Sequence, residues 1–433
     1  MSTNQADRDI ENIRKAADVD AVGVYFTKNP KLQYIGVAGI GRHGGALLFR
    51  EWDDGDVPVR RIVVKYSLHA KVDANLRNET QWLERLRGAE HIGQIIPLAD
   101  AQLDVTGTGK RPTIALEFIP HGTAQDFREK MLGEGLVILQ SQFLWRILLC
   151  LVRQVVAMAY PPEAPAGAPV TRERILPGVE PFALTQNSSH LNNLMIDELM
   201  VGDDDHGMVP RFKLIDFGRG NAEGTFKEAY LDNVWALGHM IIALAVPGLG
   251  YGEMAKAEDD LSTIYELQEP IEGKTKMRTG AHPEFCEIEV MDVTLRDLIV
   301  RCMARNSMFV PSMEELLEKC EQAVKNRKPE DYFNDEFSEA DKELEMDETI
   351  RLYVQRFILD ADVTGGPADV ERNRPETLNR TGAGPHAGQM GLTMMGVAGR
   401  NRAAIVLQEA KNALIRRGKG QGGDGTDDDD DVD

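Results

Sequence analysis

Apolar and polar positions follow two different periods along this chain. Between residues 34 and 65 they alternate in short runs separated by glycine-rich and acidic turns, such as that at residues 53–56, which is typical of strands. Residues 74–87 instead carry apolar side chains at helical spacing and are followed by Gly88. Another strand-like run covers residues 114–119. The first third of the chain therefore predicts a small antiparallel β-sheet with one helix.

Helical spacing dominates the next part of the chain. Residues 141–160 are strongly helical and stop at two prolines, and helical patterns prevail from Asp232 to about Ala323. Short strand-like segments interrupt them near Asn193 and Asp216. The whole pattern predicts an α+β fold, in which a small strand-rich unit is followed by a larger, mainly α-helical unit.

Composition changes after about residue 325. Acidic, sparsely apolar sequence runs to Met346, and a short helix is predicted over residues 348–359. Residues 364–398 have the Gly, Pro, Arg and Asn content of a flexible linker. Residues 403–417 fit a basic amphipathic helix, and an aspartate run follows. We expect the short helix to dock on the body and the residues after it to form a flexible tail.

Charge and cysteine usage narrow the possible partners. The 433 residues carry a net charge of −21, which argues against a nucleic-acid partner because phosphate backbones attract basic surfaces. The cysteines are widely spaced without a CxxC pair, which indicates free thiols in a reducing compartment and neither a disulfide framework nor a zinc site. The first residues lack an apolar leader, and residues 234–249 read as a buried core helix. We expect a cytoplasmic or nuclear protein without a membrane partner.

A glycine-rich run, with Gly39, Gly41 and Gly44, lies between two strand-like segments. Glycines let backbone N–H groups approach phosphates because no side chain stands in the way. A dinucleotide-binding turn would continue into a helix, but residues 46–49 read as a strand. The run therefore favours a flap over phosphates, and the alternative is a glycine-rich hairpin that binds no ligand.

Lys65 ends a β-branched strand-like run. A lysine in a strand with one buried face needs an anionic partner. Glu79 on the following helix shares a stripe with Leu76 and Leu83, which is the spacing of a core-facing side. We expect an ion pair between Lys65 and Glu79 that orients the amine towards phosphates. The alternative is an edge-strand lysine in water with an unrelated helix glutamate.

Asp216, Phe217 and Gly218 follow a strand-like run, and Asn193 lies upstream. Glycine run, strand lysine, helix glutamate, asparagine and Asp-Phe-Gly follow one another in an order that resembles the protein kinases. Residues 233–238 resemble the helix after the kinase activation segment. The resemblance covers about residues 21–325, and the chain is similar to divergent kinase-domain proteins of filamentous fungi.

The resemblance implies a bilobal protein kinase-like fold that binds ATP with magnesium. The residues it assigns to the nucleotide site are Gly39, Gly41 and Gly44 over the phosphates, Lys65 on the α- and β-phosphates with Glu79 as its helix partner, Glu117 and the residues after it at adenine, and Asn193 and Asp216 on magnesium. It divides the chain into an N-terminal extension (1–20), a smaller lobe (21–117), a larger lobe (118–325), an acidic segment with a docking helix (326–363) and a flexible tail with a basic helix and poly-Asp end (364–433).

The chain departs from the kinase pattern where the proton acceptor belongs. Ser188 stands five residues before Asn193, in the position of the catalytic Asp, so Lys65 and Asp216 are the catalytic-type residues that remain. Losing a general base typically costs about 10²- to 10⁴-fold in rate. Only residues 219–232 separate the Asp-Phe-Gly motif from Asn233, and the Ala-Pro-Glu triplet of the family is absent from them.

These departures favour a pseudokinase, which binds ATP and acts through conformation or through a protein partner that the sequence does not identify. One alternative is a weak protein kinase or small-molecule phosphotransferase, because phosphoryl transfer depends mostly on positioning and electrostatics. The other alternative is a scaffold that binds no nucleotide.

Overall fold

The computed structural model describes most of the first 360 residues of the chain. Within that part the protein is a mixed α+β molecule, as the sequence pattern predicts, with a small antiparallel sheet followed by several helices. The predicted basic helix and aspartate run lie outside the described residues. The described residues are 19, 21–40, 44–67, 70–97, 102–103, 111–260 and 263–360.

Ten strands occur in the described residues. The first six form one sheet in the order β1-β2-β3-β6-β4 with β5 beside β6, and every pairing in it is antiparallel. In chain order the strands are β1 Leu32–Ile40, β2 Gly44–Trp52, β3 Pro58–Ser67, β4 Ile95–Ile96, β5 Gln102–Leu103, β6 Arg111–Glu117, β7 Leu194–Ile196, β8 Phe212–Leu214, β9 Thr263–Ile271 and β10 Lys274–Thr279.

A helical segment at residues 21–26 packs on the sheet through Val22 and Phe26 and is left unnumbered. The α-helices after it are numbered from α1. In chain order they are α1 Asp73–Arg85, α2 Ala124–Gly133, α3 Ser141–Ala159, α4 Phe226–Ala245, α5 Tyr251–Asp260, α6 Pro283–Cys286, α7 Val293–Cys302, α8 Met313–Asn326, α9 Glu339–Leu344 and α10 Asp347–Val354. Shorter 3₁₀ turns cover Ala70–Val72, Leu191–Asn193 and Pro329–Tyr332, and a π-helical turn, Gln355–Leu359, continues α10.

Helix α1 carries the predicted apolar stripe towards the core. Leu76, Glu79 and Leu83 are its buried residues together with Asp73. The chain turns at Gly88, whose φ of +92° is a left-handed conformation that favours glycine. The stripe therefore delivers a carboxylate, that of Glu79, into the interior beside the sheet.

Helix α3 is the centre of the larger unit. It is apolar on all sides, and almost every one of its residues is buried, as expected for a helix surrounded by protein. It is the one helix in the described part of the chain that is long and apolar enough to cross a membrane, and 94% of its apolar window is buried inside the protein. The core accounts for its hydrophobicity.

A β-hairpin interrupts the region where helical patterns are predicted to prevail. Strands β9 and β10 pair antiparallel, and Glu272 and Gly273 between them have φ of +48° and +77°. A two-residue turn with positive φ at both positions joins antiparallel strands readily. The helical pattern predicted to prevail from Asp232 to about Ala323 did not indicate this hairpin.

The segment after α8 packs against the main core. Tyr353 and Phe357 belong to the same hydrophobic cluster as α3, and Arg356 forms an ion pair with Glu134. The backbone N–H groups of Ser141 and Gln142, at the start of α3, donate to the two carboxylate oxygens of Glu345. Residues 326–360 are therefore packed on the body over most of their length.

Candidate functional site

A lysine between two carboxylates forms the centre of the site. Lys65 lies in β3, which is flanked by β2 and β6, so it is not the edge-strand lysine of the alternative interpretation. Its Nζ is 2.7 Å from Oε2 of Glu79 and 3.2 Å from Oδ1 of Asp216. The sheet, α1 and the segment after β8 thus each contribute one charged group.

Neighbouring opposite charges outweigh the effect of burial on the Lys65 amine. Burial alone would lower the pKa of the Lys65 amine, but the nearby carboxylates of Glu79 and Asp216 outweigh it and raise that pKa above its ordinary value. The Glu79 side chain is 2% exposed, whereas that of Asp216 is 41% exposed. Glu79 therefore anchors the amine from inside, and Asp216 presents its carboxylate to solvent and to any ligand.

The backbone around Asp216 is held in an uncommon conformation. Its φ is +63°, in the left-handed region that aspartate tolerates better than most residues. The Gln186 amide donates to the carbonyl oxygens of Asp216 at 2.7 Å and Ile215 at 3.1 Å, and the next residue, Phe217, is fully buried. These contacts hold the backbone at Asp216 in place.

Asn193 lies next to Asp216 across the β7–β8 pair. The carbonyl oxygen of Asn193 accepts from the backbone N–H of Ile215, the residue before Asp216, at 2.9 Å. Its side-chain amide donates to the backbone oxygen of Ser188 at 2.9 Å. Because the amide nitrogen is used in this way, the Asn193 side chain keeps its oxygen for a ligand.

Helix α1 clamps the segment that follows Asp216. Asn78 donates to the carbonyl oxygens of Gly218 at 3.2 Å and Gly220 at 2.7 Å, and the Trp82 indole donates to Gly220 at 2.9 Å. The helix that carries Glu79 is thus tied by hydrogen bonds to the segment that carries Asp216.

Ser188 faces a polar cavity of about 330 Å³ whose lining also includes His190, Arg219 and Asp232. Ser188 Oγ is 3.5 Å from His190 Nε2, and burial lowers the pKa of His190 below its ordinary value. Neither Lys65 nor Asp216 is among the described residues that line this cavity, so it is a space distinct from the charged cluster.

Helix α4 holds the loop that carries Ser188 through hydrogen bonds of Asn233. Asn233 is buried, its amide donates to the Leu184 carbonyl at 2.8 Å, and its side-chain oxygen accepts from the Gln186 backbone at 3.4 Å. An aspartate would accept but not donate, so an asparagine satisfies both contacts without burying a charge.

Two glycines of the run lie in strands, Gly39 near the end of β1 and Gly44 at the start of β2. Gly39 pairs with Ala46 and Gly44 with Ser67, whereas Gly41 lies outside the described residues. A Cβ at Gly44 would lie 2.6 Å from the Tyr66 carbonyl oxygen, but a Cβ at Gly39 would have no neighbour within 4 Å. Gly44 is therefore required by packing, and packing imposes no such requirement on Gly39.

Glu117 is committed to contacts within the protein. Its backbone N–H donates to the Gln94 carbonyl at 3.0 Å, and its carboxylate accepts from the Gln94 backbone at 2.8 Å and from Lys213 at 2.7 Å. Because the Glu117 N–H is already used, a backbone hydrogen bond from the end of β6 to an adenine base would involve the Glu117 carbonyl or the residues after it.

The structure brings Lys65 into contact with both Glu79 and Asp216. Asn193 is linked to them through a backbone hydrogen bond with Ile215, the residue before Asp216. Sequence reasoning missed the supporting residues Gln186, Asn78 and Trp82. Gln186 carries no signal in the sequence, because its role depends on a contact between distant segments. Asn78 and Trp82 lie four residues apart on α1, one helical turn, and that spacing was a usable signal for a shared face.

No protein-family model matches this chain, and no curated protein matches it either. The interpretation of the site therefore depends on its geometry and on the motif order described above.

Proposed function

We propose that the protein is a kinase-like pseudokinase that binds ATP with magnesium between its sheet unit and its helical unit. One observation carries the proposal: Lys65 Nζ lies 2.7 Å from Glu79 and 3.2 Å from Asp216. A positive group held by a buried carboxylate, next to a half-exposed one, is an arrangement suited to a ligand that combines phosphates with a cation. The bilobal kinase-like fold is part of the same proposal.

The donor set fits a magnesium nucleotide. Asp216 supplies a carboxylate and Asn193 an amide oxygen, and magnesium takes oxygen ligands, usually with one or two from the protein and the rest from phosphates and water. Lys65 would pair with phosphate oxygens as a point charge. The bound ion would supply neutralisation of phosphate charge, and Gly39 leaves room for a backbone approach.

The case for a pseudokinase comes from Ser188. The Ser188 hydroxyl lies 3.3 Å from the Asn193 side-chain amide, and a hydroxyl does not accept a proton at neutral pH as a carboxylate does. His190 Nε2 lies 3.5 Å from Ser188 Oγ, and burial lowers the pKa of its ring, which makes it a weaker proton acceptor than an ordinary histidine. We expect nucleotide binding with little or no phosphate transfer.

Calorimetric titration of the full chain with ATP and magnesium tests binding. We expect heat of binding in the unmodified protein and at least tenfold weaker binding in Lys65→Met and Asp216→Asn. Lys31→Met, which removes an exposed lysine of the same unit, is the matched control and should bind normally. The absence of any binding at millimolar ATP would remove the proposal.

Gly39→Ala separates ligand contact from folding. Since a Cβ there meets no protein atom within 4 Å, we expect an unchanged melting temperature and weaker ATP binding. Unchanged ATP affinity would show that β1 does not approach the phosphates at Gly39.

A weak phosphotransferase is the second candidate, and the cavity beside Ser188 favours it. Asp232 lines the same cavity as Ser188 and His190, so a carboxylate is present where an acceptor hydroxyl group would enter. Radiolabelled autophosphorylation decides between the two. Transfer that disappears in both Asp216→Ala and Asp232→Asn would support an active enzyme, and signal surviving in Asp216→Ala would indicate contamination.

A further inference from the structure

Three buried side chains with nitrogen or sulfur ligand atoms converge in the interior. His91, Cys150 and His206 each offer one ligand atom, and these atoms all lie within 4.8 Å of one another. The three residues are 1% exposed or less. They come from three distant parts of the chain: the connection between α1 and β4, the middle of α3, and the connection between β7 and β8.

The distances suit one shared ion. His91 Nε2 and His206 Nε2 face each other at 3.0 Å, and two zinc–nitrogen bonds of ~2.0–2.1 Å at a tetrahedral angle would place such atoms about 3.3 Å apart. Cys150 Sγ lies 4.0 Å from Nδ1 of His206, the other nitrogen of the ring whose Nε2 faces His91. One ion bonds a single nitrogen of that ring, so side-chain shifts would have to bring the three ligand atoms, now within 4.8 Å of one another, around one centre.

A carboxylate orients one of the rings. Glu173 Oε2 lies 2.7 Å from His91 Nδ1, and Glu173 Oε1 accepts the His91 backbone N–H at 2.7 Å. Metal-binding histidines commonly donate their second N–H to a carboxylate in this way, which fixes the ring and leaves the other nitrogen as the ligand. Nε2 of His91, the atom facing His206, is the nitrogen left over.

Carboxylates pair with the basic groups around the cluster and outnumber them. Three arginines lie near His206, and each is paired with a carboxylate. The pairs are Arg153 with Asp205 at 3.0 Å, Arg172 with Asp203, and Arg211 with Glu90 at 2.8 Å and with Asp197 at 2.6 Å. With Glu173 added, acidic groups outnumber basic ones around the cluster.

We propose that His91, Cys150 and His206 form a buried binding site for a transition-metal ion of the zinc or copper type. Imidazole and thiolate are the ligands that Zn²⁺ and copper prefer, and three protein ligands leave a fourth position for a solvent molecule. The ion would tie the connection after α1 to the central helix α3. This proposal does not depend on nucleotide binding.

The competing arrangement is a metal-free chain of hydrogen bonds. Burial alone would lower the pKa of His91, but the charge of Glu173 raises it to about 9, so His91 would donate to the neutral His206 ring. Such a chain accounts for the same distances, but it forms no sulfur–metal bond.

Cobalt substitution distinguishes the two arrangements. Full-length protein, purified with a thiol reductant, is analysed for zinc and copper by mass spectrometry, then stripped and titrated with Co²⁺ alone. We expect about one equivalent of metal and a thiolate-to-cobalt charge-transfer band. The measurement uses the unmodified chain, so it remains decisive even when a variant does not fold. Failure to retain metal together with absence of the band would overturn the proposal.

Cysteine variants identify which sulfur atom binds the metal. Cys150→Ser should abolish the cobalt band, whereas Cys286→Ser, which changes a cysteine outside the cluster, should keep it. Glu173→Gln should weaken metal affinity roughly 10- to 100-fold, because the orienting carboxylate is lost. A band that persists in Cys150→Ser would place the metal elsewhere and contradict the proposal.

Discussion

The pairing of Lys65 with Glu79 shows what a single buried charge requires. Lys65 lies in an inner strand, and Glu79 is almost fully buried, with its Oε1 making no hydrogen bond. A carboxylate in such a place depends on its one cationic partner. The pair therefore ties α1 to the sheet.

Lys65→Met should destabilise the protein by about 2 kcal/mol. Removing one partner of a fully buried pair typically costs roughly 3–5 kcal/mol, and the 25% exposure of the Lys65 side chain reduces that cost. Urea denaturation followed by circular dichroism measures the change in the free energy of unfolding.

The double variant Lys65→Met/Glu79→Gln provides the control. Because it removes the buried charge as well, we expect it to regain about 1 kcal/mol relative to Lys65→Met alone. Losses that simply add would show that the two side chains do not interact.

Several of these residues were predictable from sequence, and others were not. Glu79 lies on a regular apolar stripe and Lys65 in a β-branched run, so period alone indicated that both point inwards. His91 and His206 are 115 residues apart, and their contact exists only in the folded chain. The sequence predicts no zinc site because no CxxC pair occurs in it. That criterion detects metal ligands only when they are close in sequence, and His91, Cys150 and His206 are far apart.

At the scale of elements, helix α1 makes contacts with both the sheet and the segment after Asp216. One face delivers Glu79 to Lys65, and Asn78 and Trp82 hold the carbonyl oxygens after Asp216. A shift of α1 would therefore move both the amine's partner and the segment that carries Asp216. The helix couples the two halves of the candidate site.

Asn78→Ala should loosen the segment after Asp216. Two hydrogen bonds to Gly218 and Gly220 are lost, each contributing about 0.5–1.5 kcal/mol. We expect faster amide hydrogen exchange at residues 218–224, measured by mass spectrometry.

Asn75→Ala, at an exposed position on the same helix, is the matched variant and should exchange like the unmodified chain. Equal exchange in Asn78→Ala and Asn75→Ala would mean that the clamp contributes nothing to the order of the segment.

The strand content was harder to predict than the helices. Tyr265 and Leu267 alternate with exposed positions in β9, and Gly273 marks the turn, so a local signal existed for the hairpin. The apolar helices on either side of it obscured this short alternation. By contrast, α3 extends over 19 residues, and its boundaries were predicted to within one residue.

At the scale of the whole molecule, Glu345 links the late segment to the central helix. Burial raises the pKa of its carboxyl to about 7, and it accepts from the first N–H groups of α3. In the unfolded chain the pKa returns to its ordinary value of 4.5. Between these values the folded protein holds the proton more tightly, so this group's contribution to stability is present at low pH and is lost as pH rises towards 7 and above.

Glu345→Gln should remove that pH dependence. Relative to the variant, the unmodified chain should lose about 1 kcal/mol of unfolding free energy between pH 6 and pH 8. Denaturation at the two pH values measures it.

Glu336→Gln changes an exposed glutamate of the same segment and should behave like the unmodified chain. An identical pH profile in Glu345→Gln and the unmodified chain would show that Glu345 does not titrate in this range.

The packing of the late segment has a practical consequence for shortened versions of this protein. The late segment buries four apolar side chains to 3% exposure or less, those of Tyr353, Val354, Phe357 and Ile358. Earlier in the same segment, Arg327 forms an ion pair with Asp292. A fragment cut at residue 325, where composition changes, would leave a large apolar surface open to water and the first turn of the central helix without its carboxylate. Its failure to bind ATP would report a damaged core, so binding experiments need the chain through residue 360.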